Sequence, residues 1–124
     1  MTNQRVASSI DHTLLKAEAT RDDILKLCDE AVAHRFAAVC VASRWVPTAI
    51  ERLRSHPAPR PHCATVVGFP LGNSDSATKA FEARQAIEAG ADEIDMVLDI
   101  GGMKSKDFDA VKRDVATVVQ AAGQ

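Results

Sequence analysis

Cysteine is scarce and poorly spaced for a framework: Cys28, Cys40 and Cys63 are odd in number and form no C-x-x-C pair. That excludes the disulfide scaffold of a small secreted domain and leads us to expect reduced thiols in a cytoplasmic compartment. No apolar run approaches the roughly 18 residues of a membrane span, and residues 1–5 lack the apolar core of a signal peptide. Charge of one sign is not in excess either. Fifteen Lys+Arg stand against 17 Asp+Glu, a net charge of -2, so there is no electrostatic footprint for nucleic acid or an acidic membrane surface. No G-x-G-x-x-G follows a strand pattern, which argues against a dinucleotide-dependent dehydrogenase. His12, His34, His56 and His62 supply no H-x-x-x-H pair, so any zinc site would have to be assembled from distant strands; no metal and no cofactor is expected.

What is present is an ordinary globular composition, 46% hydrophobic and 26% charged, at a length of 124 residues that suits one domain over residues 1–124. Short β-branched runs at residues 9–13, 38–42, 63–69 and 93–100 alternate with helical patterns. Ile24, Leu27, Cys28 and Ala31 share one face of a helix begun by Thr20, with Asp22 and Asp23 suited to the positive end of its dipole. A shorter helix at 47–55 carries Val46, Ile50 and Leu53 and tolerates Pro47 near its start. A third, at 76–89, turns Ala77, Ala80, Ala83 and Ile87 inward and ends at Gly90. A fourth carries the stripe Phe108, Val111, Val115, Val118, Ala122, with Ser105 as expected N-cap and Gly123 past its end.

The strand markers Ile10, Val39, Val66 and Val97 recur at intervals of 29, 27 and 31 residues, one βα unit each, which builds a parallel sheet with right-handed crossovers. Strands of a doubly wound sheet read almost wholly apolar because both faces are covered. Here the fourth run places Glu93, Asp95, Val97 and Asp99 on one face and Ile94, Met96 and Leu98 on the other. One greasy and one polar or small face suits a (β/α)8 barrel. A full barrel takes about 250 residues, so four units and a parallel sheet make about half of one.

The working end of a barrel is the C-terminal edge of its strands. Alternation points Asp11 and Thr13, Cys40, and Asp95 with Asp99 inward near that edge. A carboxylate pointing into a packed lumen, as Asp95 is expected to, is costly unless paired or hydrogen-bonded; catalysis and structural bonding are equally open. Asp11-His12-Thr13 also suits a local side-chain turn, and Cys40 suits a small buried hydrophobe. His56, in a proline-rich turn, is expected to be solvated. So are Lys26, Lys79 and Lys112 on their helices, with Lys104 and Lys106 in a loop and Lys16 after the first strand. A Schiff-base lysine needs desolvation or a neighbouring cation, and no strand carries one. Gly68-Phe69-Pro70-Leu71-Gly72-Asn73 reads as a tight turn over the active edge, without phosphate-loop spacing.

The strings Ile10-Asp11-His12-Thr13-Leu14-Leu15-Lys16, Val39-Cys40-Val41, Thr65-Val66-Val67-Gly68-Phe69-Pro70-Leu71-Gly72 and Gly90-Ala91-Asp92-Glu93-Ile94-Asp95-Met96-Val97 occur in this order. Together they closely resemble the N-terminal half of the deoxyribose-phosphate aldolase family, over nearly the whole chain. The resemblance implies a class I aldolase barrel that reversibly cleaves 2-deoxy-D-ribose 5-phosphate to glyceraldehyde 3-phosphate and acetaldehyde through a lysine imine, without metal. It implies that Asp95 is the catalytic aspartate, relaying protons with lysine and water, and that Asp11, Thr13 and Cys40 line the substrate pocket. Asp99-Ile100-Gly101 stands where the family usually has Asn-Ile-Gly, and Ala42-Ser43-Arg44 replaces a common Asn-Pro turn. The family's imine-forming lysine, second activating lysine and phosphate-binding glycine loops lie on later strands, so this chain is expected to be inactive alone. Four strands would leave two free edges and an uncovered inner face. The expected partner is a second half-barrel, either another copy or a complementary C-terminal half; the alternative function is a self-assembling binding module.

Overall fold

The computed structural model describes residues 2–123. A short helix α1 (Asn3–Ala7), which the sequence pattern did not announce, precedes β1 (Asp11–Leu14). Then come α2 (Arg21–His34), β2 (Ala38–Val41), a 3-10 turn at Ser43–Trp45, α3 (Val46–Arg54), β3 (His62–Val67), α4 (Ser76–Glu88), β4 (Glu93–Met96), α5 (Ile100–Lys104) and α6 (Phe108–Ala122). The four strands form one parallel sheet in the order β1-β2-β3-β4, each paired with its sequence neighbour. A doubly wound sheet reverses direction at a switch point; this one never does.

All the crossover helices cover one face. Ile24, Leu27, Cys28 and Ala31 of α2 and Val46, Ala49 and Leu53 of α3 pack on Val39, Val41 and Cys63, while Ala83 of α4 and Val118 of α6 pack on Val67. The opposite face carries only a small cluster, Cys40, Ala64 and Val66 with Leu15 against it. The sheet is therefore the wall of an incomplete barrel, helices outside and small or polar side chains inside.

Local signals explain most boundaries. Thr20 accepts from the Asp23 amide while Asp23 accepts from the Thr20 amide, a reciprocal cap that starts α2. Gly123 ends α6 in the left-handed conformation, and Gly90, at φ +109, turns the chain after α4. Four expectations need correction. β4 stops at Met96 instead of running to residue 100, because Asp99 takes the Gly102 amide and starts α5. Asp107, not Ser105, caps α6; Ser105 closes α5. Ala77 is exposed, and the buried stripe of α4 is Lys79, Ala80, Ala83 and Ala86. Phe108 and Val115 of the α6 stripe are exposed, while Val111 and Val118 are buried as expected and Asp114 is buried with them.

Candidate functional site

Parallel register brings the expected residues together. Thr13 lies opposite Cys40, Cys40 opposite Ala64, and Val66 opposite Asp95. Strand alternation then puts Asp11, Thr13, Cys40, Ala64, Val66, Glu93 and Asp95 on the inner face. The Cys40 thiol sits 3.9 Å from Asp95 Oδ2, within reach of a weak S–H donation to the carboxylate. Thr13 Oγ1 donates to the Asp11 carbonyl at 2.9 Å, so the local turn runs through the threonine and leaves the Asp11 carboxylate free to face the interior.

Asp11 shares this wall with two other carboxylates. The Asp11 carboxyl is raised above the usual range, by burial first and then by the charges of Glu93 and Asp95. The Cys40 thiol is pushed up to about 11, again by burial first and then by Asp95 and Asp11. A thiol in that state is a poor nucleophile, so Cys40 stands beside Asp95 as a small protonated side chain. Asp95 itself is exposed, not sunk in a packed lumen, because among the described residues nothing stands opposite the wall. Its setting leaves it open to a substrate or to a facing polypeptide.

Asp99 is not among these residues. It lies beyond the end of β4 with its carboxylate turned back onto the Gly102 amide, at 3.1 Å. A Cβ at Gly102 would come within 2.6 Å of that carboxylate, so the glycine is what permits the close cap. The turn after β3 is as tight as its glycines suggest. Gly68 and Gly72 have φ of +70 and +72, and the Gly72 amide donates to the Gly68 carbonyl at 2.8 Å. A Cβ on Gly72 would lie 2.1 Å from the Leu98 carbonyl oxygen, so this turn rests directly on the segment leaving β4.

Two side chains expected in solvent are not there. His56 Nε2 lies 3.2 Å from Asp29 Oδ1, in a network where Arg52 donates two 2.7 Å bonds to the same carboxylate, which holds Asp29 below the usual range. Lys79 is fully buried behind the sheet, its Nζ 2.6 Å from Asp114 Oδ2 and 3.2 Å from the Val97 carbonyl. It faces α6, away from the inner wall. Lys16 lines a groove of about 410 Å³ beside β1, with His12, Glu30 and Lys26. His12 points outward onto Glu30 at 2.9 Å, as alternation requires. Among the described residues no group of three or more His, Cys, Asp or Glu side chains is placed to hold a metal ion. Among the described residues no helix is long and apolar enough to cross a membrane.

Comparison with known proteins adds three findings. The model of the DeoC/LacD family aldolases matches residues 5–124. The curated deoxyribose-phosphate aldolase of Lysinibacillus sphaericus is 51% identical over 119 residues, 96% of this chain and 52% of that protein. Among solved structures, the tetrameric deoxyribose phosphate aldolase of Aeropyrum pernix superposes with a TM-score of 0.83 at 31% identity, over 98% of this chain and 49% of that one. The chain spans about half the length of the curated relatives it matches.

Proposed function

We propose, from the premise that this chain belongs to the DeoC/LacD aldolase family, that it forms the N-terminal half of a deoxyribose-phosphate aldolase site and handles protons there through Asp95. The observation that carries this reading is the placement of Asp95 beside Cys40 on the inner wall, one inner-face step beyond the row Thr13, Cys40, Ala64 and Glu93. The reaction joins or parts acetaldehyde and glyceraldehyde 3-phosphate at a lysine imine. A carboxylate near the imine carbon passes protons to and from water and substrate, while Thr13 and Asp11 offer a hydroxyl and a carboxylate to the polyol chain. Asp11, Thr13, Cys40 and Asp95 are the residues we assign, with Asp95 in the catalytic role. The three free cysteines suit a cytoplasmic setting.

The nucleophile is the missing part. None of the nine inner-wall side chains of the strands, Asp11, Thr13, Ala38, Cys40, His62, Ala64, Val66, Glu93 and Asp95, is a lysine, and the buried Lys79 is engaged elsewhere. We therefore assign the imine to a facing half-barrel and expect this single domain to be inactive by itself. Borohydride reduction in the presence of acetaldehyde tests this. No adduct is expected on this chain alone; with a C-terminal half of a relative added, the adduct should appear on that half and depend on Asp95. An adduct on this chain alone, at Lys16 or any other lysine, would overturn the assignment.

A second reading, a self-assembling half-barrel that binds small polyols without turnover, is favoured by the α6 surface. Phe108, Val115 and Val119 are exposed along it, beside the unpaired edge of β4. Retention of a sugar phosphate with no cleavage after addition of the complementary half would select this reading.

A further inference from the structure

Lys79 is the largest fully buried side chain of the molecule, and lysine is almost never fully buried unless paired. Its partner Asp114 is satisfied on both oxygens, by Lys79 Nζ at 2.6 Å and by Ser76 Oγ at 2.7 Å. Joining α4 to α6 does not require such a pair, since apolar residues of similar volume serve as well or better, and Ala83 and Val118 already make that contact. What an apolar pair cannot do is hold a backbone carbonyl.

Lys79 does hold one. Val97 is the first residue past β4; its amide makes a bond to the Val67 carbonyl at 2.9 Å, and its own carbonyl accepts from Lys79 Nζ at 3.2 Å. The stem of the lysine passes beneath Gly68, where a Cβ would lie 3.0 Å from Lys79 Cε. Gly72, at the other end of the same turn, abuts the Leu98 carbonyl. The exits of β3 and β4 are thus clamped together over one ammonium group, two residues beyond Asp95.

We propose that Lys79 is a positioning residue: through Asp114 and the Val97 carbonyl it fixes the exit of β4 and so the placement of Asp95 against Cys40 and Asp11. This rests on the reading of Asp95 as the proton-handling carboxylate, but its test uses no substrate, so failure of either idea is seen separately. The isotopically labelled chain is compared with K79M, K79R and V118A by amide hydrogen exchange and by the NMR resonance position of the Asp95 carboxyl. In K79M the Val97 amide should exchange about tenfold faster or more relative to Val39 in β2, and the Asp95 carboxyl resonance should shift. K79R, able to reach both acceptors, should restore part of each. V118A, which loosens the same helix pair without touching Val97, should change neither. Parent-like values in folded K79M, or the same changes in V118A, would overturn the proposal. Should K79M not fold, D114N serves in its place. It leaves the lysine present but weakens its anchor, and unchanged exchange and carboxyl resonance there would equally sink the idea.

Discussion

At the scale of single residues, the inner wall was legible because strand alternation needs nothing but parity. Asp11, Thr13, Cys40 and Asp95 follow from it once the strands are placed, and the structure groups them. The same burial that shields Cys40 acts on all three thiols: Cys28 and Cys40 are raised to about 11 and Cys63 to about 12, each by desolvation first. Unfolded thiols titrate near about 8.5, so above that pH the native state holds protons the unfolded chain has lost. Native stability contributed by these groups is complete below the unfolded value and is lost as pH rises towards the native ones. Tyrosine is absent, which removes the usual competing titration from the same window. The urea midpoint should be level up to about pH 8 and decline steadily from there; a midpoint unchanged to pH 10 would contradict buried thiols. Replacing Asp95 by Asn should also lower the Cys40 value, read as earlier alkylation of that cysteine with rising pH.

At the scale of elements, the repeating units were readable and their exits were not. Lys79 shows why. It lies on a buried stripe with Ala83 and Ala86, and Asp114 lies on another with Val111 and Val118. A charged residue in step with an apolar stripe was the available signal, but its partner is on a different helix, beyond any local pattern. The β4 exit failed for a similar reason: Val97 and Leu98 continue the strand alternation, yet Asp99 captures a following amide and the chain bends. The turn that leans on this exit gives a direct test. Gly72→Ala places a methyl 2.1 Å from the Leu98 carbonyl oxygen at a φ of +72, whereas Gly123, at φ +71, has nothing within 4 Å of its would-be Cβ. Gly123→Ala should cost only the left-handed backbone penalty of about 1 kcal/mol. Gly72→Ala should cost roughly 2–3 kcal/mol, visible as a lower urea midpoint at unchanged slope. Equal losses for the two would mean the turn is free to move away from β4.

At the scale of the whole molecule, surface is the decisive quantity. A folded monomer of 13.3 kDa is expected to expose about 6,400 Å², and this chain exposes 7766 Å². The surplus exceeds the roughly 800 Å² that each partner contributes to a standard interface. It sits where an incomplete barrel would leave it: the uncovered inner wall, the free edges of β1 and β4, and the apolar stripe of α6 with Phe108, Val115 and Val119. The two kinds of surface predict different partners. The inner wall is acidic and small, suited to a facing half that brings cations, while the α6 stripe and the β4 edge suit continuation of the sheet by another strand and helix. Light scattering at micromolar concentration should therefore give a mass above that of one chain. Val115→Glu with Val119→Glu, both on the outer surface, should reduce association while leaving the helical circular dichroism unchanged. If the double variant associates as the parent does, the contact lies on the inner wall, and added C-terminal half should then compete with self-association. A compact monomer that also ignores the added half would mean that the chain tolerates its open wall, and the shared-site reading would fall with it.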